Sequence, residues 1–201
     1  ELLRSYGYNN IPISKPKAGP IINNKKNNTL DNLRLGLVHS GFKELMHMPF
    51  VSRDSFDQLN SSNWKPAELK NPINENEPLL RGNLFRSLFA AVNSNVKKGH
   101  TSIKVFEAGN VFKKEKNGFS QSMQVSGIIY HHEPQQTWSQ KKLEYNFFSL
   151  KAEISKLLLT LGIQNTRFQK AGSIMPFNKN ALEIYLGKKK IAVIGEIDLS
   201  V

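Results

Sequence analysis

The sequence has no cysteine among its 201 residues, only four aspartates, and only six arginines among its 28 cationic side chains. Without cysteine there is no disulfide framework, thiol nucleophile, thiolate metal site or iron–sulfur cluster. A reducing cytoplasm is the compartment that fits. So few aspartates leave little carboxylate for metal or acid–base chemistry. No apolar run approaches the roughly 20 residues that a membrane-spanning helix needs, and Glu1-Leu2-Leu3-Arg4 does not read as a secretory signal. There is no glycine-rich phosphate loop, no His-Glu-x-x-His and no Gly-x-Ser-x-Gly, the local signatures of nucleotide, zinc-protease and serine-hydrolase sites.

What is present is lysine. The formal net charge is +12 and the sequence pI is about 9.8, a balance that attracts polyanions nonspecifically. Base-reading surfaces favour arginine, whose planar fork bonds two acceptors at once. A Lys- and Asn-rich chain also fits an AT-rich genome, so charge leaves two readings open: a solvated surface or nucleic-acid contact. The lysine tracts at 25–26, 97–98, 141–142 and 188–190 fall in different loops.

The chain opens on a helix end, Glu1 to Tyr6, stopped by Gly7. A helix already under way at residue 1 points to a longer polypeptide. Residues 8–28, with Pro12, Pro16 and Pro20, read as an extended linker without a core. Thr29 caps a helix to about Ser40, with Leu30, Leu33 and Leu37 on one face and Gly41 as its stop. Phe42 to Val51 alternates as a half-buried strand, with Met46, Met48 and Phe50 on one side and Pro49 marking an edge or bulge. A short helix over 52–59, a polar loop and a brief strand near 67–70 follow.

Pro78 sets the entry to a predicted helix over 79–98 whose stripe is Leu84, Phe85, Leu88, Phe89, Val92 and Val96, ended by Gly99. Strands are expected at 103–107, 110–114 and 122–131, with a hairpin over Lys113–Gly118. A second strong helix covers 147–161, and strands at 166–170, 181–186 and 191–197 close the chain. Hairpin connections among about seven strands and three helices predict an α+β fold on an antiparallel sheet flanked by helices. No βαβ alternation supports a dinucleotide-binding fold. His131 and His132 end a strand, where adjacent side chains point to opposite faces, so they read as solvated strand-end histidines and not as one metal site.

A set of local signatures remains. Tyr6-Gly7-Tyr8-Asn9-Asn10-Ile11-Pro12, Gly41-Phe42-Lys43-Glu44 with Phe50-Val51-Ser52, Leu69-Lys70-Asn71-Pro72 with Leu80-Arg81-Gly82-Asn83-Leu84, Phe106-Glu107-Ala108-Gly109-Asn110-Val111-Phe112, Phe147-Phe148-Ser149-Leu150-Lys151 and Gly195-Glu196-Ile197 occur in this order. Together they resemble the bacterial-type phenylalanyl-tRNA synthetase β subunit. The resemblance covers the end of its preceding module (residues 1–28) and its class II synthetase-like core (29–201), cut before the C-terminal end of that core. The chain departs from the family pattern at several points. Gly82 and Asn83 stand where the family has Thr and Ser, Asp198 where it has His, and Met175-Pro176 where it has His-Pro.

The resemblance implies an antiparallel sheet with flanking helices and no catalysis by this part. Holding a triphosphate during adenylate formation takes arginines that bond phosphate oxygens in pairs. Here the motif 2 position holds Lys113, followed by Lys114, and the motif 3 arginine would lie beyond Val201. No catalytic or cofactor-binding residue is assigned. The implied role is pairing with the catalytic α subunit in an (αβ)2 heterotetramer that uses ATP and Mg2+ to charge tRNA(Phe). The expected interface residues are Leu33, Leu37, Phe42, Met46, Met48 and Phe50, for each of which ordinary core packing is the alternative. Glu1 aligns with a carboxylate of the family's magnesium site, and no bound metal is expected in this part alone. Two other readings stand beside this one: an active class II nucleotide-binding enzyme resting on Lys113-Lys114, and a basic module that binds the tRNA backbone without enzymatic role.

Overall fold

The computed structural model describes residues 1–14, 29–54, 65–132, 145–172 and 177–197, with only the backbone of Asn178 and Lys179. Helix α1 (Leu2–Tyr6) ends at Gly7, whose φ of 89° is open to glycine at no steric cost. A single 3-10 turn, Tyr8–Asn10, follows. The expected linker lies outside the described residues beyond Ser14, as do most of the expected helix at 52–59, Lys141-Lys142, Met175-Pro176 and Asp198.

Helix α2 (Thr29–His39) runs as the leucine spacing predicts. The chain then crosses between sheets. Strand β1 (Lys43–Glu44) pairs parallel to β5 (Ser102–Glu115), and β2 (Phe50–Val51) pairs antiparallel to β4 (Leu79–Leu80) in a second sheet. The predicted single strand over 42–51 is therefore two short ones. Between them the Leu45 amide bonds the Phe106 carbonyl at 2.8 Å, and the His47 amide donates to a Glu107 carboxylate instead of to a neighbouring strand. Pro49 brings no N–H, and its carbonyl accepts from Arg81.

The predicted helix over 79–98 is also corrected. Leu79 and Leu80 form β4, held between β2 and β3 (Ala67–Glu68), and helix α3 begins only at Phe85 and runs to Lys97. Two adjacent leucines fit a buried strand as well as a helical stripe. What decides here is pairing on both sides, supplied by segments distant in sequence. The Asn83 side-chain carbonyl accepts from the Phe85 amide at 3.1 Å and marks the true helix start.

β5 is one uninterrupted strand where two were expected, and β6 (Gly118–His131) starts four residues early. Their hairpin, with 14 residues in each strand, turns at Lys116-Asn117, closing Glu115 against Gly118. Helix α4 (Phe147–Thr160) and the antiparallel strands β7 (Thr166–Lys170), β8 (Phe177–Leu186) and β9 (Lys189–Ile197) complete the described chain. The strand orders are β1-β5-β6, β2-β4-β3 and β7-β8-β9. All pairings except β1 with β5 are antiparallel.

Strand alternation divides the core. Val105 and Val111 point to one face of β5, where they meet Leu84, Leu88 and Val92 of the α3 segment. Phe106 points to the other face, where it meets Phe42, Leu37 of α2 and Leu157 of α4. The next residue along α4, Leu158, turns to Ile184 and Ile194 of the third sheet. One helix thus joins two sheets, because neighbouring helical positions lie about 100° apart. Each fully buried leucine or phenylalanine contributes about 1.5–3 kcal/mol.

Candidate subunit interface

The six side chains expected at a subunit contact separate into inner and outer positions. Leu37 and Phe42 are each 6% exposed and belong to the core around Phe106 and Leu157, with Leu33 packed against it. Phe42 meets the Phe106 ring edge to face at 6.5 Å between centroids. Phe50 is half-buried in β2. Met46 and Met48 are 89% and 70% exposed. Between and beside them Leu45 packs into the α3 cluster and His47 turns to Glu107, so extended geometry sends the methionines outward.

Two further outward apolar residues, Leu35 and Val38, lie on α2 at 56% and 51% exposure. The leucine stripe at 30, 33 and 37 drew attention to the inner face only. The signal for the outer one was present, since residues 35 and 38 are three apart, off that stripe and both apolar.

Behind this segment lies a buried polar centre. The Arg81 guanidinium meets Glu107 at 2.6 Å (Nη1 to Oε1) and donates from Nε to the Asn110 carbonyl at 3.0 Å. The second Glu107 oxygen lies 2.7 Å from His47 Nδ1. Both side chains of the ion pair are more than nine-tenths buried. Gly109 makes room for the guanidinium: a Cβ there would lie 2.2 Å from Arg81 Nη2. The arginine that the sequence places in a synthetase-type motif is therefore committed to a carboxylate, a carbonyl and a close fit against glycine. Lys113 and Lys114 sit near the hairpin turn, where Lys113 Nζ is 3.5 Å from Glu115 and the Lys114 amide bonds the Lys65 carbonyl.

Glu1 is highly exposed and lies 3.8 Å from Arg4. Among the described residues no group of three or more His, Asp or Glu is arranged to hold a metal ion. One solvated carboxylate does not fit magnesium, which requires an octahedral set of oxygens. His131 Nδ1 lies 3.4 Å from Ser102 Oγ, while the His132 ring stacks on Tyr130; the two histidines make separate contacts.

On β8 the Tyr185 hydroxyl donates to Glu183 at 2.6 Å, and Lys190 reaches the same carboxylate at 3.0 Å. These bonds, the hydroxyl's first, hold the Glu183 carboxyl below the usual range, and the same carboxylate pushes the tyrosine hydroxyl up. No helix among the described residues is long and apolar enough to cross a membrane.

Comparison with known proteins identifies this arrangement. The sequence family described as the phenylalanyl tRNA synthetase beta chain CLM domain matches residues 11–201. The chain is 27% identical over 199 residues to the phenylalanine–tRNA ligase beta subunit of Chromobacterium violaceum, covering 98% of this chain and 25% of that protein. It is 29% identical over 205 residues to the corresponding subunit of Wigglesworthia glossinidia brevipalpis, with the same coverage. The chain thus spans about a quarter of the length of these relatives. Among solved structures, a pyrrolysyl tRNA synthetase from Desulfitobacterium hafniense superposes with a TM-score of 0.58 at 13% identity, over 82% of this chain and 54% of that one. That likeness is one of fold, and it places these helices and antiparallel strands in the class II synthetase architecture. By its match over residues 11–201, the chain belongs to the CLM-domain family of phenylalanyl-tRNA synthetase β chains.

Proposed function

We propose that this chain is the noncatalytic, synthetase-like part of a cytoplasmic phenylalanine–tRNA ligase β subunit. It pairs with the catalytic α subunit, in an (αβ)2 enzyme that activates phenylalanine with ATP and Mg2+ and charges tRNA(Phe). The observation that carries the pairing is the exposure of four apolar side chains, Leu35 and Val38 on α2 and Met46 and Met48 between β1 and β2. Methionine suits such a surface, because its unbranched side chain adapts to a partner's contour. Apolar surface buried on association contributes roughly 25 cal/mol per Å² before the costs of association are subtracted. Lys113 at the motif 2 position supports the noncatalytic role, since a lysine lacks the fork that bonds phosphate oxygens in pairs and this one lies 3.5 Å from Glu115.

The test is light scattering of the chain with and without the α subunit at low and high salt, repeated with Met46→Glu and Met48→Glu together. A mixed complex that survives high salt and is lost in the double variant is the expected result. A complex untouched by both substitutions moves the interface elsewhere. ATP affinity that Lys113→Ala weakens would overturn the noncatalytic reading.

A further inference from the structure

The third sheet has one face committed and one face outward. Phe168, Ile184 and Ile194 pack against α4 through Leu158 and its neighbours. On the opposite face Arg167 of β7 stands directly across from Tyr185 of β8, which in turn stands across from Lys190 of β9. The Arg167 guanidinium carbon lies 5.9 Å from the Tyr185 ring centroid, within cation–π range. The Gln169 side-chain carbonyl, in its hydrogen-bonded orientation, accepts from Arg167 Nε and Nη2 at 3.2 Å. Tyr185 is fixed at its other end by the bond to Glu183, and Glu183 by Lys190. The hairpin turn Gly187-Lys188 with Lys189 adds exposed cations at the edge of this platform.

Charge and an aromatic ring select the partner. On the outward face and at its turn there are four cations, Arg167, Lys188, Lys189 and Lys190, against the carboxylate of Glu183, while Lys170 pairs with Leu182 and Glu196 follows Gly195 on the side toward α4. Glu183 is covered by Tyr185 and Lys190, and Glu196 accepts from Asn180. The remaining field attracts a polyanion. Lysines alone would serve any anion, but an arginine within cation–π reach of a tyrosine ring adds the aromatic and guanidinium groups on which bases stack, the arrangement by which single strands are held without base-specific bonds. We propose that this outward face of β7–β9 binds unpaired RNA, with a base stacked on the Arg167–Tyr185 pair and backbone phosphates met by Lys188, Lys189 and Lys190. Glu183 positions the platform and does not contact the backbone. An acidic protein segment is the competing occupant, and it would gain from the lysines but not from the ring.

The test is fluorescence anisotropy of the 201-residue chain with a labelled mixed-sequence RNA octamer at 50 and 200 mM KCl, alongside a labelled poly-glutamate peptide. RNA is expected to bind and to weaken with salt, and the poly-glutamate to bind far less. Arg167→Lys keeps the charge but removes the plane, and Tyr185→Leu keeps bulk but removes the ring. Each is expected to weaken RNA binding by about 5- to 150-fold, the range for loss of one base stack, while Tyr185→Phe retains it. Replacing the three lysines by alanine is expected to flatten the salt dependence by about 0.7 for each phosphate no longer neutralised. Circular dichroism of each variant separates lost binding from lost fold. No RNA binding at 50 mM KCl overturns the proposal. So does binding that ignores both Arg167→Lys and Tyr185→Leu, or a poly-glutamate affinity equal to that for RNA.

Discussion

Arg81 and Glu107, 26 residues apart in sequence, form a buried ion pair whose 2.6 Å contact ties the loop before α3 to the middle of β5. Glu107 is the shared acceptor, since His47 approaches its other oxygen. A buried pair of this kind is poor evidence of net stabilisation, because desolvation offsets most of the attraction. Breaking it is a different matter. Arg81→Met leaves a carboxylate inside the core with only a histidine beside it, and the expected loss is about 3–5 kcal/mol. Urea unfolding of Arg81→Met, Glu107→Gln and the double variant checks this. The double variant is expected to be less destabilised than the sum of the singles, and strict additivity would show that the two groups do not depend on each other.

Gly109 tests the same centre from the steric side. Its φ is not in the left-handed region, so conformational freedom is not its role. Its role is space: a methyl at that position would stand 2.2 Å from Arg81 Nη2. Gly109→Ala is expected to push the guanidinium from Glu107 and cost about 1–3 kcal/mol, the usual range for overpacking. Adding Gly109→Ala to Arg81→Met is expected to cost little more than Arg81→Met alone. A full additional loss in thermal or urea unfolding would mean that the methyl collides with something other than the arginine.

These two residues show what the sequence could and could not reveal. Helix α2 was legible from leucine spacing and the glycine after it, and α4 from its own apolar periodicity, because those signals are local. The β8–β9 hairpin was legible from its glycine turn between alternating segments. Leu79-Leu80 was not, because its assignment depends on β2 and β3 closing around it, and pairing partners tens of residues away leave no local trace. At the polar centre, Arg81 stood out only through resemblance to a motif, and Glu107 lay in another matched stretch. Nothing in either stretch says that the two face each other, so the arginine's commitment to an internal carboxylate had to come from the fold. The outward direction of Met46 and Met48 likewise follows from which neighbours, Leu45 and His47, the core takes in.

Helix α4 joins two sheets, and its start is held by a reciprocal cap. The Asn146 side chain accepts from the Phe148 and Ser149 amides at 3.0 and 3.1 Å, while the Ser149 hydroxyl lies 3.5 Å from the Asn146 amide nitrogen. These bonds satisfy amides that a helix's first turn otherwise leaves open. Asn146→Ala is expected to destabilise the chain by about 1 kcal/mol, and Asn146→Asp to retain most of the cap. Hydrogen exchange at Phe148 and Ser149 gives the local readout. Unchanged protection of those amides in Asn146→Ala would assign the end of the helix to packing alone.

Immediately before that cap, Tyr145 carries the fold's clearest pH dependence. Burial pushes its hydroxyl well above the ordinary value, and the neighbouring Glu153 carboxylate adds to the push. Lys104 lies 4.6 Å from the centre of the ring and 2.7 Å from Glu153, so the tyrosine sits in a paired lysine–glutamate environment that disfavours a second anion. The folded state therefore holds the phenolic proton more tightly than the unfolded chain does. The corresponding stability is present in full below the unfolded value of about 10 and is lost as pH rises above it toward the folded value. Tyr145→Phe, which has no proton to lose, is expected to flatten the alkaline limb of a stability–pH curve between about pH 9.5 and 11, where an unfolded tyrosine titrates, and to leave the neutral region little changed. An alkaline limb as steep in Tyr145→Phe as in the parent would assign that loss to groups other than this hydroxyl.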